Sequence, residues 1–216
     1  MTTEEIAQIR ENYTRASLSE HEVAAEPIAQ FTQWFKEAVN AEVVEPNALS
    51  LGTVSASGQP AVRIVLLKGM DERGFVFYTN YDSHKGKEME ENPHVAMTFF
   101  WPELERQVRI KGLVEKVPES ESDAYFHSRP HGSRLGAWAS PQSQQIADRS
   151  VLDENLASLQ AQYSEGTDVP RPPHWGGYIV RPHELEFWQG RSSRLHDRLC
   201  YHKQADGSWS MVRLAP

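Results

Sequence analysis

Residues 49–80 read LSLGTVSASGQPAVRIVLLKGMDERGFVFYTN, and this stretch decides the fold class of the chain. Three apolar runs, near 48–55, 61–68 and 74–80, alternate with the turn-forming letters SASGQP and DERG. Short runs rich in β-branched and aromatic residues, bounded by Gly, Pro, Asp and Ser, are typical of β-strands joined by turns. The stretch therefore predicts three consecutive strands.

The strand pattern continues toward the C-terminus. HVAMTFFWPELERQVRIKGLVEKV predicts two strands with Pro102 at the bend, and the closing segments predict more, with Asp206-Gly207 as a hairpin turn. Helical spacing predicts helices near 27–43, 83–93, 119–128 and 144–163. Many short strands with a few helices are typical of a mainly β (α+β) barrel with peripheral helices. We predict one such domain over 27–216, preceded by an arm or short helix at 1–26.

The composition limits the function classes. The chain has 216 residues and a formal net charge of −8, from 22 Lys and Arg against 30 Asp and Glu. This acidic balance disfavours a nucleic-acid partner, and no apolar run approaches the roughly 18 residues of a membrane span. The N-terminus lacks a signal-peptide layout, and Cys200 is the only cysteine. We therefore expect a cytoplasmic protein with no nucleic-acid or membrane contact and no internal disulfide.

Several common catalytic signatures are missing. GxGxxG and GxxxxGK[ST] are both absent, which disfavours a Rossmann or P-loop site, and there is no GxSxG elbow. Cys200 and His202 with His196 match no standard zinc spacing, so we expect no metal. Basic residues nevertheless crowd 181–203. Local positive charge in an acidic chain indicates a small anionic ligand more than a polymer.

RIVLLK carries the first candidate anion-binding residues. Arg63 and Lys68 are five positions apart, so a regular strand would turn them to opposite faces. In that geometry they could hold two different anions, or they could simply frame a buried strand.

YTNYDSHKGKEME places cations at a predicted helix N-terminus. Asp82 or Ser83 is a favourable N-cap, which puts His84 and Lys85 in the first turn. Cations there oppose the helix dipole, whereas free backbone N–H groups beside a lysine make an anion site. The pattern fits an anion site or a tolerated surface charge.

YFHSRPHGS combines a phenol, a guanidinium and a hydroxyl. Tyr125 and Arg129 are four apart and share a helix face, and the Pro and Gly that follow could turn Ser133 back toward them. Together these groups suit a phosphate. The same letters also fit a plain helix C-terminus.

LEFWQGRSSRLHDR, residues 185–198, is the most basic of the candidate stretches. Trp188 offers an aromatic plate, and Arg194, His196 and Arg198 alternate with other residues, so in a strand all three would face one way. Such a row fits an anion site or a solvated strand face.

Taken in order, these stretches resemble the pyridoxamine (pyridoxine) 5′-phosphate oxidase family. LEFWQGRSSRLHDR is similar to the family's C-terminal signature, and so are RIVLLK, FYTNYDSHKGKE, ERQVRIKG, YFHSRP, LGAWASPQS and the final RLAP. The similarity runs from about residue 6 to the end of the chain. It implies an FMN-binding split β-barrel, built as a homodimer with FMN at the subunit interface.

The resemblance also implies site residues. Arg194 and His196 would be the catalytic pair that orients the substrate ring, and Arg10 and Tyr13 in the N-terminal arm would close over the site. The substrate phosphate would be held by Lys68, Tyr125, Arg129 and Ser133. FMN would be surrounded by Arg63, Ile64, Val65, Leu66, Leu67, Lys68, Tyr78, Thr79, His84, Lys85, Gln107, Gln142, Ser143, Trp188 and Arg198.

Two positions depart from the family pattern. His84 stands where arginine is usual, and since histidine can be neutral, its share in binding the FMN phosphate is open. Arg191 stands where a small residue is common, and the sequence assigns it no role.

The implied reaction is the oxidation of pyridoxamine or pyridoxine 5′-phosphate by O₂ to pyridoxal 5′-phosphate, with release of H₂O₂. FMN takes a hydride from C4′ of the substrate, while the protein holds the two rings together, which is catalysis by orientation. Because Arg194 and Arg198 disfavour protonation of His196, this residue could accept the proton of the alcohol. The alternatives are a split-barrel flavin reductase that uses a nicotinamide, or a non-catalytic carrier of flavin or pyridoxal phosphate. Neither alternative needs a second phosphate site.

Overall fold

The structure, a computed structural model, describes residues 2–9 and 11–216. The helices are α1 (Thr3–Ala7), α2 (Pro27–Asn40), α3 (His84–Glu91), α4 (Glu119–Ser128), α5 (His131–Ala139) and α6 (Ser150–Gln162). The strands are β1 (Ala48–Val54), β2 (Pro60–Leu66), β3 (Gly69–Asp71), β4 (Gly74–Asn80), β5 (His94–Trp101), β6 (Arg106–Lys116), β7 (Trp175–Gln189), β8 (Asp197–Lys203) and β9 (Trp209–Arg213). Two short 3₁₀ turns lie at Pro102–Leu104 and Ser192–Arg194.

The strands of the described residues form a nine-stranded sheet. Its order is β2-β1-β5-β6-β7-β4-β3, and β8 pairs with both β7 and β9. Strand β4 runs antiparallel to β3 and β7, and β8 runs antiparallel to β7 and β9. This strand-rich sheet with flanking helices confirms the predicted mainly β (α+β) class.

Strand β2 is shorter than predicted, and β3 was not predicted at all. Since β2 ends at Leu66, Lys68 does not lie on one regular strand with Arg63, and the prediction of opposite strand faces is wrong. The Lys68 N–H instead donates to the Val76 carbonyl at 2.8 Å as the chain turns into β3. Three residues are too few to show the alternating pattern by which a strand is detected.

The chain folds into two compact units. Unit 1 comprises residues 1–49, 97–111 and 182–216, and unit 2 comprises residues 50–96 and 112–181. The predicted division into an arm at 1–26 and one domain at 27–216 stays a prediction. No helix within residues 2–9 and 11–216 combines the length and apolar surface that a membrane crossing requires.

Helix α2 carries much of the aromatic core of unit 1. Pro27 occupies its first turn, as the sequence predicts, because the missing N–H of proline has no partner there in any helix. Phe31 packs edge-on against Phe99 with ring centres 4.9 Å apart. Trp34 packs against Phe187 at 5.2 Å. These buried rings hold α2 on the sheet of unit 1.

Helix α5 differs from the prediction for unit 2. Pro130 ends α4, as predicted, but it is also the N-cap of α5, since proline is compatible with a helix start. Ser133 therefore lies inside a helix and not in a turn that bends the chain back. Helix α6 begins at Ser150, six residues after the predicted start at 144. The helices enclose a buried cluster of Phe126, Leu135, Val169 and Trp175.

Candidate functional site

Unit 2 contains a cavity of about 320 Å³ whose wall is both cationic and aromatic. It forms where the C-terminal half of β4, the end of β2 and the end of α4 meet. The two strands were predicted from the stretch at 49–80 and the helix from the stretch at 119–128, and only the fold brings strands and helix together. The lining residues are Ile64, Val65, Leu66, Lys68, Tyr78, Thr79, Lys85, Tyr125, Arg129, Gln142 and Trp175.

Stacked aromatic rings form one wall of this cavity. Tyr78 stacks on Tyr125 with ring centres 3.9 Å apart, and Trp175 stacks on Tyr78 at 5.5 Å. Burial raises the pKa of both phenols, so they stay protonated and can donate hydrogen bonds. The wall therefore offers flat apolar surface with neutral donors at its edge.

Arg129 is the clearest sign that the cavity is built for an anion. Its guanidinium lies 4.6 Å above the Trp175 ring, and its Nη1 is buried without a hydrogen-bond partner among the described residues. Burial also lowers the pKa of Arg129. An unpaired buried N–H is costly, and an acceptor bound in the cavity would relieve that cost.

Ser133 lies beside Arg129 in an adjoining cavity of about 230 Å³. Arg129 lines both cavities, so its guanidinium is within reach of a ligand that touches Ser133. Unit 2 thus brings together Lys68, Tyr125, Arg129 and Ser133, the predicted phosphate clamp.

Lys85 lies in the first turn of α3, as the sequence predicts. Ser83 is the N-cap, and its hydroxyl accepts from the Gly86 N–H at 3.3 Å. Gly86 is required here, since a Cβ would lie 2.0 Å from the Tyr81 carbonyl oxygen. The Lys85 ammonium donates to Gln142 Oε1 at 2.7 Å and to Thr79 Oγ1 at 3.0 Å. Burial, followed by the Arg63 charge, lowers the pKa of Lys85 to about 8.

Arg63 is held by partners that the sequence reasoning missed. Its Nη2 donates to Glu88 Oε2 at 3.0 Å, and its Nη1 bonds to the hydroxyl of the buried Thr53. Glu88 lies three residues after Lys85 on α3, a spacing at which helix side chains interact. This spacing was the signal by which the sequence could have placed Glu88 beside Lys85.

Unit 1 contains a second cavity, of about 430 Å³. His196 packs against Trp188 with ring centres 4.6 Å apart, and Tyr13 from the N-terminal arm meets Trp188 edge-on at 5.7 Å. Gly190 permits this approach, because a Cβ there would lie 2.7 Å from the Tyr13 ring. The lining residues are Ile9, Glu11, Asn12, Tyr13, Arg191, Ser193, Arg194 and His196.

His196 has a defined hydrogen-bonding state. The Arg191 backbone N–H donates to His196 Nδ1 at 3.1 Å, which leaves the proton of the neutral ring on Nε2. Burial and the neighbouring Arg194 lower the pKa of His196. Because Nδ1 already accepts a hydrogen bond, the neutral ring presents a donor, and the expectation that it accepts a proton from an alcohol is not supported.

The predicted row of Arg194, His196 and Arg198 on one strand face is wrong. Ser192–Arg194 forms a 3₁₀ turn, and Ser193 and Arg194 have φ angles of 55° and 61°. Of the three, only Arg198 lies in β8, where it donates to both carboxylate oxygens of the buried Glu186 at 2.9 Å. The positive φ angles break the alternation that a strand would impose.

Arg191 also has structural partners. Its Nη1 donates to Asp197 Oδ2 at 3.0 Å, and the same carboxylate accepts from the Leu18 N–H at 3.1 Å and from Arg213 at 2.8 Å. Arg213 in turn pairs with Glu20 at 2.7 Å. Asp197 therefore links Arg191, the residue before the 3₁₀ turn, to the N-terminal arm and to β9.

The remaining predicted residues are distributed over both units. His84 is exposed at the first position of α3, Leu67 is buried, and Ser143 adopts a φ of 69°. Gln107 lies half-buried in β6, in unit 1. Arg10 lies outside the described residues.

Cys200 and His202 come together with Glu184 and not with His196. One ligand atom from each of these three residues lies within 4.8 Å of the others. The Lys111 ammonium already pairs with Glu184 at 2.8 Å, and burial raises the pKa of the Cys200 thiol to about 11. Both features oppose cation binding, and we assign no metal to this cluster.

The nine-stranded sheet and the cavities of the two units define a class of protein, the split β-barrels. The solved structure of PhzG from Burkholderia lata, in complex with tetrahydrophenazine-1-carboxylic acid, is 34% identical to this chain, with a TM-score of 0.86 over 92% of this chain and 98% of that one. A pyridoxamine 5′-phosphate oxidase-related, FMN-binding protein from Nostoc punctiforme shares the fold at 18% identity, with a TM-score of 0.69 over 93% of this chain and 100% of that one.

Sequence comparison identifies the family within this class. The model of pyridoxamine 5′-phosphate oxidase matches residues 35–163, and that of the pyridoxine 5′-phosphate oxidase C-terminal dimerisation region matches 175–216. A pyridoxine/pyridoxamine 5′-phosphate oxidase of Ralstonia pickettii is 61% identical over 98% of this chain and 99% of its own length, and one from Synechocystis is 57% identical over 98% of each. The chain belongs to the pyridoxamine 5′-phosphate oxidase family.

Proposed function

We propose that the chain is an FMN-dependent oxidase that converts pyridoxamine or pyridoxine 5′-phosphate to pyridoxal 5′-phosphate, with reduction of O₂ to H₂O₂. The names of its relatives supply the substrate class. The observation that carries the proposal is the pair of separate cationic groups in unit 2. Arg129 keeps a buried N–H without a partner within residues 2–9 and 11–216, while Arg63 and Lys85 form a second cationic site.

Two anion sites of this kind fit a phosphorylated substrate and a phosphorylated cofactor. Arg129, with Lys68, Tyr125 and Ser133, takes the substrate phosphate, and a guanidinium suits two phosphate oxygens at once. Arg63 and Lys85 take the FMN phosphate. When bound, FMN supplies the electron transfer from the substrate to O₂. Neither a flavin reductase nor a carrier needs a second phosphate site beside that of FMN.

The chain's own residues bind and orient. The substrate phosphate fixes one end of the pyridine ring, and Arg194 and His196 fix its other end, with His196 donating from Nε2. Tyr13 covers Trp188 and His196, which excludes water from that side. Catalysis by the protein is therefore mainly positioning.

The proposed assembly is a homodimer with FMN at the subunit interface, in line with the match to the dimerisation region at 175–216. Each site then takes residues from both subunits. Mixed dimers test this: Arg129→Ala and His196→Ala subunits, each impaired by itself, should regain part of the activity when combined, whereas Arg129→Ala with Lys68→Ala should not. Absence of rescue in the first pair would place all of these residues in one subunit's site.

The activity is tested on the purified protein. We expect a bound flavin spectrum and the formation of pyridoxal 5′-phosphate and H₂O₂ when pyridoxamine 5′-phosphate is added in air. Pyridoxamine without its phosphate should react poorly, because the Arg129 site stays empty. Oxidation of a nicotinamide without turnover of pyridoxamine 5′-phosphate would instead support a flavin reductase.

A further inference from the structure

Glu88 forms a closed hydrogen-bonded group with Arg63 and Thr53. Its Oε2 accepts from Arg63 Nη2 at 3.0 Å and from the Thr53 hydroxyl, and that hydroxyl also bonds to Arg63 Nη1. Thr53 is buried, and the side chains of Arg63 and Glu88 are about one-fifth exposed, at 21% and 19%. The Arg63 guanidinium is thus held in one orientation from two sides.

Glu88 also counters the repulsion between two cations. Lys85 lies close enough to Arg63 for the guanidinium to lower its pKa, and Glu88 acts in the opposite direction. The other groups that face the Lys85 ammonium are neutral: Thr79 on β4, Ser83 before α3, and Gln142. Among the described residues that act on Lys85, Glu88 is therefore the negative one.

We propose that Glu88 is a positioning residue for the cofactor phosphate, which holds Arg63 ready and offsets the repulsion between Arg63 and Lys85 before the anion arrives. The inference rests on the proposed function, since it takes Arg63 and Lys85 as the groups that bind the FMN phosphate. A preorganised pair of cations loses little freedom on binding, whereas a free arginine must be ordered at that moment.

A carboxylate near a phosphate site has two opposite effects. It repels the incoming anion, and it orients the cation that binds it. The link through buried Thr53 indicates that orientation is the larger effect, because the Glu88–Arg63 contact is partly shielded from water and does not depend on one flexible side chain alone. Loss of Glu88 should therefore weaken FMN binding.

The test measures flavin binding to apoprotein freed of cofactor. Glu88→Gln keeps the shape but removes the charge, and it should weaken FMN binding about tenfold, the equivalent of one charge-assisted hydrogen bond. Riboflavin, which lacks the phosphate, should bind the variant and the wild type equally. Glu90→Gln, an exposed neighbour on the same helix with the same charge change, should leave both affinities unchanged.

A double-mutant cycle separates positioning from general damage to the fold. In an Arg63→Ala background, Glu88→Gln should cause no further loss of FMN affinity, because the residue that it positions is absent. Thr53→Val should weaken FMN binding in the same direction as Glu88→Gln. Unchanged or tighter FMN binding in Glu88→Gln, or additive losses in the cycle, would overturn the inference. Failure of the wild type to bind FMN would overturn the proposed function itself.

Discussion

The cavity of unit 2 and the cavity of unit 1 place their functional groups in opposite ways. In unit 2 the cations lie at the ends of regular elements and are partly desolvated, which lowers the pKa of Lys85 to about 8. Arg129 Nη1 has no partner in the part of the chain that the structure describes. In unit 1 Arg194 lies in a 3₁₀ turn with positive φ angles, and Asp197 binds Arg191, the residue before that turn.

The difference indicates two tasks. Desolvated cations on rigid elements give a strong, fixed anion site, because charge–charge attraction increases as water is excluded. A turn with positive φ angles aims side chains in a direction that a strand cannot reach, at the cost of backbone strain. We propose that unit 2 serves affinity and unit 1 serves orientation, and the following variants test that division.

The largest effect is expected from the orienting pair of unit 1. Arg194→Ala or His196→Ala should lower kcat/KM for pyridoxamine 5′-phosphate on the order of 10²-fold, because the reacting carbon is no longer held in place. FMN affinity should stay near that of the wild type. Steady-state kinetics and flavin titration measure the two quantities. Leu195→Ala, which alters a 70% exposed residue of the same turn, is the control. Unchanged kinetics in both variants would mean that residues 185–198 form a solvated surface and not a binding site.

The next effect concerns the substrate phosphate in unit 2. Arg129→Ala should weaken substrate binding roughly 30-fold, the equivalent of about 2 kcal/mol for one charge-assisted contact, and leave FMN bound. The measurement is KM together with the flavin content of the purified variant. Arg149→Ala removes an arginine whose side chain is 81% exposed and should change neither. A variant that loses its flavin and keeps its KM would contradict the assignment of Arg129 to the substrate phosphate.

The pH dependence of FMN binding tests the role of Lys85 in unit 2. A bound phosphate favours the charged form of Lys85, so its pKa is higher in the complex than the value of about 8 in the free protein. Affinity should be full below that value and fall by up to about tenfold per pH unit as the pH rises through it. In Lys85→Arg the fall should disappear, since arginine stays charged. Parallel curves for the two proteins between pH 6.5 and about 9.5 would exclude Lys85 as the titrating group.

The smallest effect is expected at His84. This residue is exposed at the first position of α3, so His84→Arg adds a solvated charge and should tighten FMN binding no more than about fivefold. The measurement is the FMN dissociation constant of the variant and of the wild type. Equal FMN affinities of the variant and the wild type would mean that His84 points away from the phosphate and that Lys85 with the helix N-terminus suffices.

Local signals predicted much of the fold. Helix α2 follows from the apolar spacing after Pro27, α3 from its Ser83 N-cap, and the β8–β9 hairpin from Asp206-Gly207. Strand β3 and helix α5 were missed, because one is too short for a pattern and the other begins at a proline that the sequence reasoning used only as a stop.

The candidate residues were predictable as a set, but not their individual states. The resemblance proposed Arg129, Lys85 and His196 from their motifs, and the fold brings Arg129 and Lys85 to one cavity. That Arg129 Nη1 lacks a partner among the residues the structure describes, and that His196 accepts from the Arg191 backbone, are properties of packing. Neither follows from residue type or spacing.

By itself the sequence determined the strand-rich class, the turns, the helix caps and the family, because each depends on neighbours within a few positions or on short ordered motifs. Only the tertiary structure decided which charges meet. Gln142 reaches Lys85 across 57 positions, and Glu20 pairs with Arg213 across 193. Contacts between residues so far apart leave no local pattern, since they form only when packing of the core brings separate segments together.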